Sequence, residues 1–204
     1  MNRKESIMSE RAFWKVCRKL ANEERVDVLQ KVMCSREEEG LSVGQIAETV
    51  RIGQPATSTY LAELKDVCGL VDCTRAGRYC LYRASPDSSD EKVVKIFHAL
   101  RKFFREEPYG WASVNGVRPP APPFLSVLPA LANEKRVCLV GFVRSKRRTD
   151  QKEIVNATGF SEINVRRHLA CLATCGLVDM DGDRVLWHEP DDPISCTFIE
   201  LSLA

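Results

Sequence analysis

The sequence predicts a mainly α protein with small β-hairpin wings, because one small helical domain occurs twice in the chain. Three segments of the first half recur in the same order in the second half. In each copy, apolar residues at helical spacing give way to alternation, which is typical of helices followed by a hairpin. The recurring segments are 20–26 (LANEERV) with 131–137 (LANEKRV), 61–64 (LAEL) with 169–172 (LACL), and 68–72 with 175–179 (both CGLVD).

The composition is that of a soluble globular protein. Of the 204 residues, 44% are hydrophobic and 28% are charged, and the formal net charge is +2. No apolar run approaches the roughly 20 residues that cross a bilayer, and no apolar stretch follows the N-terminus as in a signal peptide. The nine cysteines are odd in number, and several lie at apolar helical positions, so we expect free thiols. These features predict a cytoplasmic protein without a membrane partner.

The first copy begins with two predicted helices. Residues 9–20 carry apolar side chains on one helical face. Asn22 is a favourable N-cap for the second helix, whose first turn contains Glu23 and Glu24, where the helix dipole favours carboxylates.

Two further helices and a tight turn follow. Ser42 and Gln45 form a capping-box pattern that opens a short helix over residues 42–50. After a three-residue turn, Pro55 occupies the first turn of the next helix, over residues 54–67, where proline is tolerated.

The pattern then changes to strands. Residues 70–73 and 79–83 alternate as two strands do, and residues 74–78 form the predicted hairpin tip. Residues 90–106 return to helical spacing with an apolar stripe on one side, formed by Val93, Ile96, Phe97, Leu100, Phe103 and Phe104.

A linker separates the copies. Residues 108–123 contain five of the ten prolines and predict a semi-rigid polyproline spacer. The second copy follows over residues 124–189. The tail, residues 194–204, is apolar and has no predicted structure, so no long helix is expected after the second copy.

This order of elements outlines a winged helix-turn-helix, and the sequence resembles the ArsR-type family of bacterial transcriptional regulators. The resemblance covers residues 9–107 well and 124–188 weakly. It implies two winged helix-turn-helix domains in tandem: domain 1 over 9–107, and a degenerate domain 2 over 124–204. The segments that carry it are 20–25, 54–61, 69–71 and 75–83.

Domain 1 has the side chains that base and phosphate contacts require. A Gln pairs with adenine through two hydrogen bonds, and a Thr combines a hydroxyl contact with apolar contact to a thymine methyl. Basic residues on a wing bind the backbone or enter the minor groove. The alternative is a helix start that is merely solvated. The expected DNA contacts are Gln54, Thr57, Ser58, Thr59 and Tyr60 on the helix, with Tyr60 on a phosphate, and Arg75 and Arg78 on the wing.

The turn before this helix departs from the family pattern. Family members usually place Gly early in the turn, where this chain has Arg51. A left-handed conformation at a residue other than Gly costs roughly 1 kcal/mol. We expect Gly53, two residues later, to relieve the turn instead.

Domain 2 shows the opposite pattern. It keeps Gly159 in the turn, but Glu162 replaces the Gln, and its wing is reduced to residues 179–184 with three carboxylates. Carboxylates near phosphates are repulsive, so we expect domain 2 to have lost most sequence-specific DNA binding. A basic cluster remains that either holds phosphates non-specifically or is a solvated loop, and it comprises Lys146, Arg147, Arg148, Arg166 and Arg167.

No cofactor, metal or catalytic site is expected. The Cys-x-Cys pair typical of arsenic sensors is missing, and the histidines are scattered. No nucleophile–base set or phosphate-binding Gly loop supports an enzyme. Cys73 with Cys80, expected to face each other across the wing, and Cys171 with Cys175 are candidate thiol switches. Their alternative is packed or solvated cysteines.

We therefore predict a sequence-specific DNA-binding transcriptional regulator, a repressor, whose domain 1 reads the operator. The resemblance implies a homodimer formed through the first and last helices, with the apolar stripe as its surface. Packing of this stripe within one chain is the alternative, as is a pseudo-dimer of the two copies in one molecule. The rival function is a winged-helix interaction module without specific DNA binding.

Overall fold

The computed structural model describes residues 13–106 and 121–204, which separate into two compact units. Unit 1 is residues 1–122, and unit 2 is residues 123–204. Both are mainly helical, and each contains a small antiparallel sheet of three strands. The predicted class, mainly α with small β-hairpins, is confirmed at this level.

Unit 1 contains five helices and three strands within the part of it that the structure describes. The predicted elements are present in the predicted order, and residues 9–12 of the first helix lie outside the described residues. The elements are α1 (Phe13–Leu20), α2 (Glu23–Met33), β1 (Leu41–Ser42), α3 (Val43–Val50), α4 (Gln54–Asp66), β2 (Val71–Ala76), β3 (Tyr79–Ala84) and α5 (Glu91–Glu106).

Side-chain caps fix the starts of α2 and α3. The Asn22 carboxamide oxygen accepts a hydrogen bond from the Arg25 N–H at 2.8 Å. At α3, the Gln45 N–H donates to Ser42 Oγ at 3.3 Å, and the Ser42 N–H donates to Gln45 Oε1 at 2.8 Å. Each cap satisfies an N–H that the helix itself leaves without a partner, and both predicted caps are confirmed.

The hairpin of unit 1 is longer than predicted. Pairing continues to Ala76 opposite Tyr79, so the turn contains only Gly77 and Arg78. Gly77, with φ +60°, takes the first central position, which favours glycine in two-residue hairpin turns. The prediction of a five-residue tip over 74–78 is wrong because the backbone ladder continues through its polar residues.

A glycine just before β1 allows this strand to approach the hairpin closely. Sheet order is β1-β3-β2, with Leu41 opposite Tyr82. Just before β1, Gly40 has φ +97°, and a Cβ added there would lie 2.8 Å from the Tyr82 carbonyl oxygen. Only glycine allows the two backbones to approach in this way.

The apolar stripe of α5 packs within the chain. Val93, Ile96, Phe97, Leu100 and Phe104 are buried, and α5 packs against α2. The prediction that this stripe is a homodimer surface is therefore wrong, because burying it already satisfies its hydrophobic driving force.

Unit 2 repeats the element order of unit 1. Its sheet has the order β4-β6-β5, which corresponds strand for strand to β1-β3-β2. The elements are α6 (Pro123–Leu131), α7 (Glu134–Lys146), β4 (Arg148–Asp150), α8 (Gln151–Thr158), α9 (Glu162–Thr174), β5 (Val178–Asp181), β6 (Arg184–Trp187) and α10 (Pro193–Leu203).

Two expectations at the ends of unit 2 are corrected. Residues 108–120 of the predicted linker lie outside the described residues, and Pro123 is the first residue of α6 rather than the end of the linker. The tail, for which the sequence predicted no structure, forms the 11-residue helix α10. Asp192 caps α10, and Phe198 stacks on Phe124 of α6 with ring centroids 5.7 Å apart. Packing against α6 explains a helix that short-range spacing did not indicate.

We expect Gly40→Ala to lower the free energy of unfolding by about 2 kcal/mol, because the added methyl group meets backbone and the φ angle is unfavourable for alanine. Urea unfolding followed by circular dichroism measures this change. Gly44→Ala is the control, since its Cβ would meet nothing closer than 3.6 Å. Equal stabilities for the two variants would contradict the assignment of Gly40.

Candidate nucleic-acid interface

The α3–α4 turn of unit 1 depends on a left-handed arginine. Arg51 ends α3 with φ 57° and ψ 37°, and Gly159 occupies the corresponding position in unit 2 with φ 68°. Gly53 has φ −59° and is the N-cap of α4. The expectation that Gly53 relieves the turn is therefore wrong: Arg51 adopts the strained conformation itself, at a cost of roughly 1 kcal/mol.

The outer side of α4 carries most of the predicted contacts. Gln54, Ser58 and Thr59 are exposed, and the Thr59 hydroxyl donates to the Pro55 carbonyl oxygen at 3.1 Å. Thr59 lies opposite the buried residues and Ser58 lies beside it, whereas Gln54 is on the first turn, three positions before the buried Thr57. This is the arrangement that a helix needs to present side chains to base edges.

Thr57 does not belong to this surface. Its side chain is fully buried, and its hydroxyl donates to the Gly53 carbonyl oxygen at 3.1 Å. The prediction of Thr57 as a DNA contact is wrong, because it lies one turn before the buried Leu61 on the same helix face. The repeat contained a signal for this, since the corresponding residue of unit 2 is the buried Val165.

Tyr60 is bound to the protein rather than available for a phosphate. Its hydroxyl donates to Glu24 Oε2 at 2.6 Å, and the Arg25 guanidinium lies 4.9 Å from the centre of its ring. The hydrogen bond to the Glu24 carboxylate, with burial, raises the pKa of Tyr60. We correct the predicted phosphate contact accordingly, because a phosphate would have to displace a carboxylate of the same charge.

An ion-pair network holds α4 in place. Glu63 of α4 pairs with Lys19 of α1 and Arg25 of α2, and Arg25 also donates to the Lys19 carbonyl oxygen. Burial raises the pKa of Glu63, but the Lys19 hydrogen bond and the Arg25 charge outweigh it, so the pKa lies below its ordinary value. Local spacing in the sequence does not indicate this network, although Arg25 belongs to the repeated LANEERV segment.

The hairpin places two arginines beyond the three-stranded part of the sheet. Strand β1 pairs only with Leu81 and Tyr82, so residues 75–80 extend past it. Arg75 and Arg78 are exposed there, and neither forms an ion pair with a described residue. They are therefore available to an anionic partner.

The corresponding hairpin of unit 2 does not extend in this way. Residues 184–186 of β6 are paired with β4, up to the turn. The turn is also tied to α8, since the Gln151 N–H donates to the Asp183 carbonyl oxygen at 3.0 Å and Gln151 Nε2 donates to the Gly182 carbonyl oxygen at 3.2 Å. Asp181 and Asp183 outnumber Arg184 at the tip, so this short hairpin is acidic there.

Part of the predicted basic cluster of unit 2 is neutralised. Lys146 pairs with Glu153 at 2.8 Å, and Arg147 pairs with Glu189 at 3.1 Å. The other three members are exposed, and Arg167 donates to the Asn164 carboxamide oxygen at 3.0 Å. The cluster is thus two separate groups: Lys146, Arg147 and Arg148 at β4, and Arg166 and Arg167 on α9.

The candidate thiol pairs lie close together, and burial disfavours the thiolate of one cysteine in each pair. Cys73 is opposite Tyr82 rather than Cys80, so the prediction that Cys73 and Cys80 face each other is wrong; they are diagonal neighbours. Burial, with the nearby Cys80, raises the pKa of Cys73. Burial and the nearby Cys171 raise the pKa of Cys175 to about 11. A reactive cysteine needs a lowered thiol pKa, so these values favour packing roles.

Within residues 13–106 and 121–204, every helix is too short or too polar to span a bilayer. Nowhere in this described part do three or more His, Cys, Asp or Glu side chains converge as metal ligands would. The chain matches no family model, no curated protein and no solved structure at a significant level of similarity.

We expect Glu63→Gln to lower the free energy of unfolding by about 1 kcal/mol at pH 7, because two cations lose their carboxylate. The folded-state pKa is lowered, so the wild-type contribution is present above the ordinary value of 4.5 and is lost as pH falls below it. Urea unfolding at several pH values measures both effects.

The control is Glu91→Gln, which removes an 80% exposed carboxylate paired with Lys95 on the same helix. Its effect should be much smaller. A Glu63→Gln loss that is the same at pH 7 and pH 3 would show that the charge of Glu63 does not carry the effect.

Proposed function

We propose that the chain is a sequence-specific DNA-binding transcriptional regulator, a repressor, whose unit 1 is a winged helix-turn-helix domain that reads the operator. One observation carries this proposal: unit 1 exposes polar groups on a helix start and basic groups on a projecting hairpin. The exposed residues are Gln54, Ser58 and Thr59 of α4, and Arg75 and Arg78 of the hairpin.

These groups match the chemistry of duplex DNA. With α4 in the major groove, Gln54 is suited to adenine, and Thr59 is suited to a thymine methyl with a nearby acceptor. Arg75 and Arg78 on the hairpin supply charge for phosphates or the minor groove. Arg51 is exposed at the turn and adds a cation beside the start of α4. The near-neutral charge of the chain is compatible with this, because a local basic patch is sufficient.

The symmetry of the operator determines how many copies of unit 1 bind to it. A symmetric operator requires two copies of unit 1 and hence a homodimer, formed through a surface other than the buried α5 stripe. Unit 2 is a poor second reader, because its hairpin is tied to α8 and carries carboxylates at its tip. The intramolecular pseudo-dimer would therefore recognise one half-site only.

Selection from a random duplex library with the full chain, followed by sequencing, should recover a defined sequence. Thr59→Ala should change the preferred bases, because its side chain is exposed on α4. Thr57→Val is the matched control and should leave the preference unchanged, because Thr57 is buried. A palindrome would support the homodimer, and a single half-site would support one reading unit. No enrichment at low salt would overturn the regulator and favour the interaction module.

The salt dependence of binding tests the hairpin. Arg75→Ala and Arg78→Ala should each reduce the slope of log affinity against log salt concentration by about 1, because each contact releases a counterion. Fluorescence anisotropy over a salt series gives these slopes. Lys95→Ala removes the same charge from α5, where Lys95 pairs with Glu91, and should leave the slope unchanged. Equal slopes for all variants would remove the hairpin from the interface.

A further inference from the structure

The outer face of α9 in unit 2 differs in chemistry from the matching face of α4. Four residues at positions i, i+3, i+4 and i+7 form this α9 face: Ile163, Arg166, Arg167 and Ala170. The corresponding residues of α4 are Pro55, Ser58, Thr59 and Ala62. Two arginines thus replace the small polar residues Ser58 and Thr59, and the larger apolar side chain of Ile163 replaces Pro55.

Ile163 is the most exposed large apolar residue of those that the structure describes. Its side chain is 81% exposed, and it lines a shallow depression of about 360 Å³ with the rest of the α9 face and Glu162. An isolated β-branched side chain gains nothing from this position in the free protein. It has the character of an anchor that becomes buried on association.

The neighbouring side of α9 has lost its carboxylates. In unit 1, Arg25 pairs with Glu63 and Tyr60 bonds to Glu24. The corresponding residues in unit 2 are Arg136, Cys171, His168 and Lys135, so both carboxylates are replaced and the cation is kept.

Two nitrogen-bearing side chains on this side, Arg136 and His168, are short of partners. The guanidinium of Arg136 makes no ion pair or hydrogen bond to any described residue, and its Nε is buried. His168 is 5% exposed, and its Nε2 is buried without a hydrogen-bond partner among the described residues. Burial, together with Arg136, Arg167 and Lys135, lowers the pKa of His168. His168 is therefore uncharged at pH 7, and the positive charge on this side comes from Arg136, Arg167 and Lys135. This charge favours an anionic partner.

We propose that the α9 face is a docking site for an acidic polypeptide segment with one large apolar side chain, bound in helical form. The apolar side chain packs on Ile163 and Ala170, and carboxylates of the segment pair with Arg166 and Arg167. Helices recognise each other through such anchors at i, i+3, i+4 and i+7.

The surroundings favour a polypeptide over DNA. A duplex on α9 would bring its phosphates to the hairpin as well, where Asp181 and Asp183 are exposed on a turn that Gln151 holds back. Glu162 at the first position of α9 adds a third carboxylate. Arg166 borders a depression that Asp183 also lines, so any partner there approaches the hairpin. A short helical segment carries its carboxylates at separate positions and can keep them away from Asp183, whereas a duplex carries phosphates along its whole length.

A displayed library of random peptides of about 16 residues, long enough for four helical turns, tests this site with the full chain as target. The enriched peptides should carry a large apolar residue with acidic residues three and four positions away. A synthetic copy of an enriched peptide should bind at least tenfold more weakly to Ile163→Ser and to Arg167→Glu.

Two controls separate this site from others. Arg148→Glu makes the same charge change on β4 and should leave peptide affinity unchanged. Circular dichroism of each variant should match the wild type, because both altered residues of the α9 face are exposed.

Three results would overturn the proposal: no enrichment, enriched peptides without the acidic and apolar pattern, or equal binding to Ile163→Ser. A fourth result would also overturn it: a smaller slope of log DNA affinity against log salt concentration in Arg166→Gln and Arg167→Gln. The α9 face would then belong to the DNA interface. Loss of DNA binding by unit 1 leaves this site untouched, so the two proposals fail separately.

Discussion

The packing of α4 on α2 is the constraint on which the proposed interface of unit 1 depends. Leu61 and Leu64 are fully buried, and burying a leucine side chain contributes roughly 1.5–3 kcal/mol. Thr57 lies on the same helix face and is buried with them. Because a helix turns about 100° per residue, this choice of face determines that Ser58 and Thr59 point outward. Glu63 contributes less energy than the leucines, but its pairs with Lys19 and Arg25 fix the rotation of the helix.

The two units show that the exposed face of this helix can change while its buried face is retained. In unit 2, Val165, Leu169 and Leu172 bury the same face of α9. The sheet order and the order of the elements are also the same. Apolar burial is therefore retained in both copies, whereas the outward residues and the charges beside the helix have changed. Close packing limits which residues can occupy the buried face. On the exposed face, only the contacts with a binding partner limit substitution.

The two hairpins differ in length and in charge through the change of a few residues. In unit 1 the ladder extends past β1 and ends in a turn with Arg78; in unit 2 it stops at the level of β4 and bonds to Gln151. Length and charge change together, since the extended hairpin carries arginines and the short one carries aspartates. Both changes act in the same direction on the attraction to phosphate, which is why we assign different partners to the two units.

The sequence by itself determined the repeat, the helical class, the caps at Asn22 and Ser42, and the region of the hairpins, because these depend on local spacing and on short-range hydrogen bonds. Only the tertiary structure decided which side of a helix is covered. It placed Thr57 in the core, bound Tyr60 to Glu24, buried the α5 stripe within the chain and formed α10 against α6. These outcomes depend on residues far apart in the chain. Thr57, Ser58 and Thr59 are all small and polar, so hydrophobic periodicity does not show which of the three faces the core.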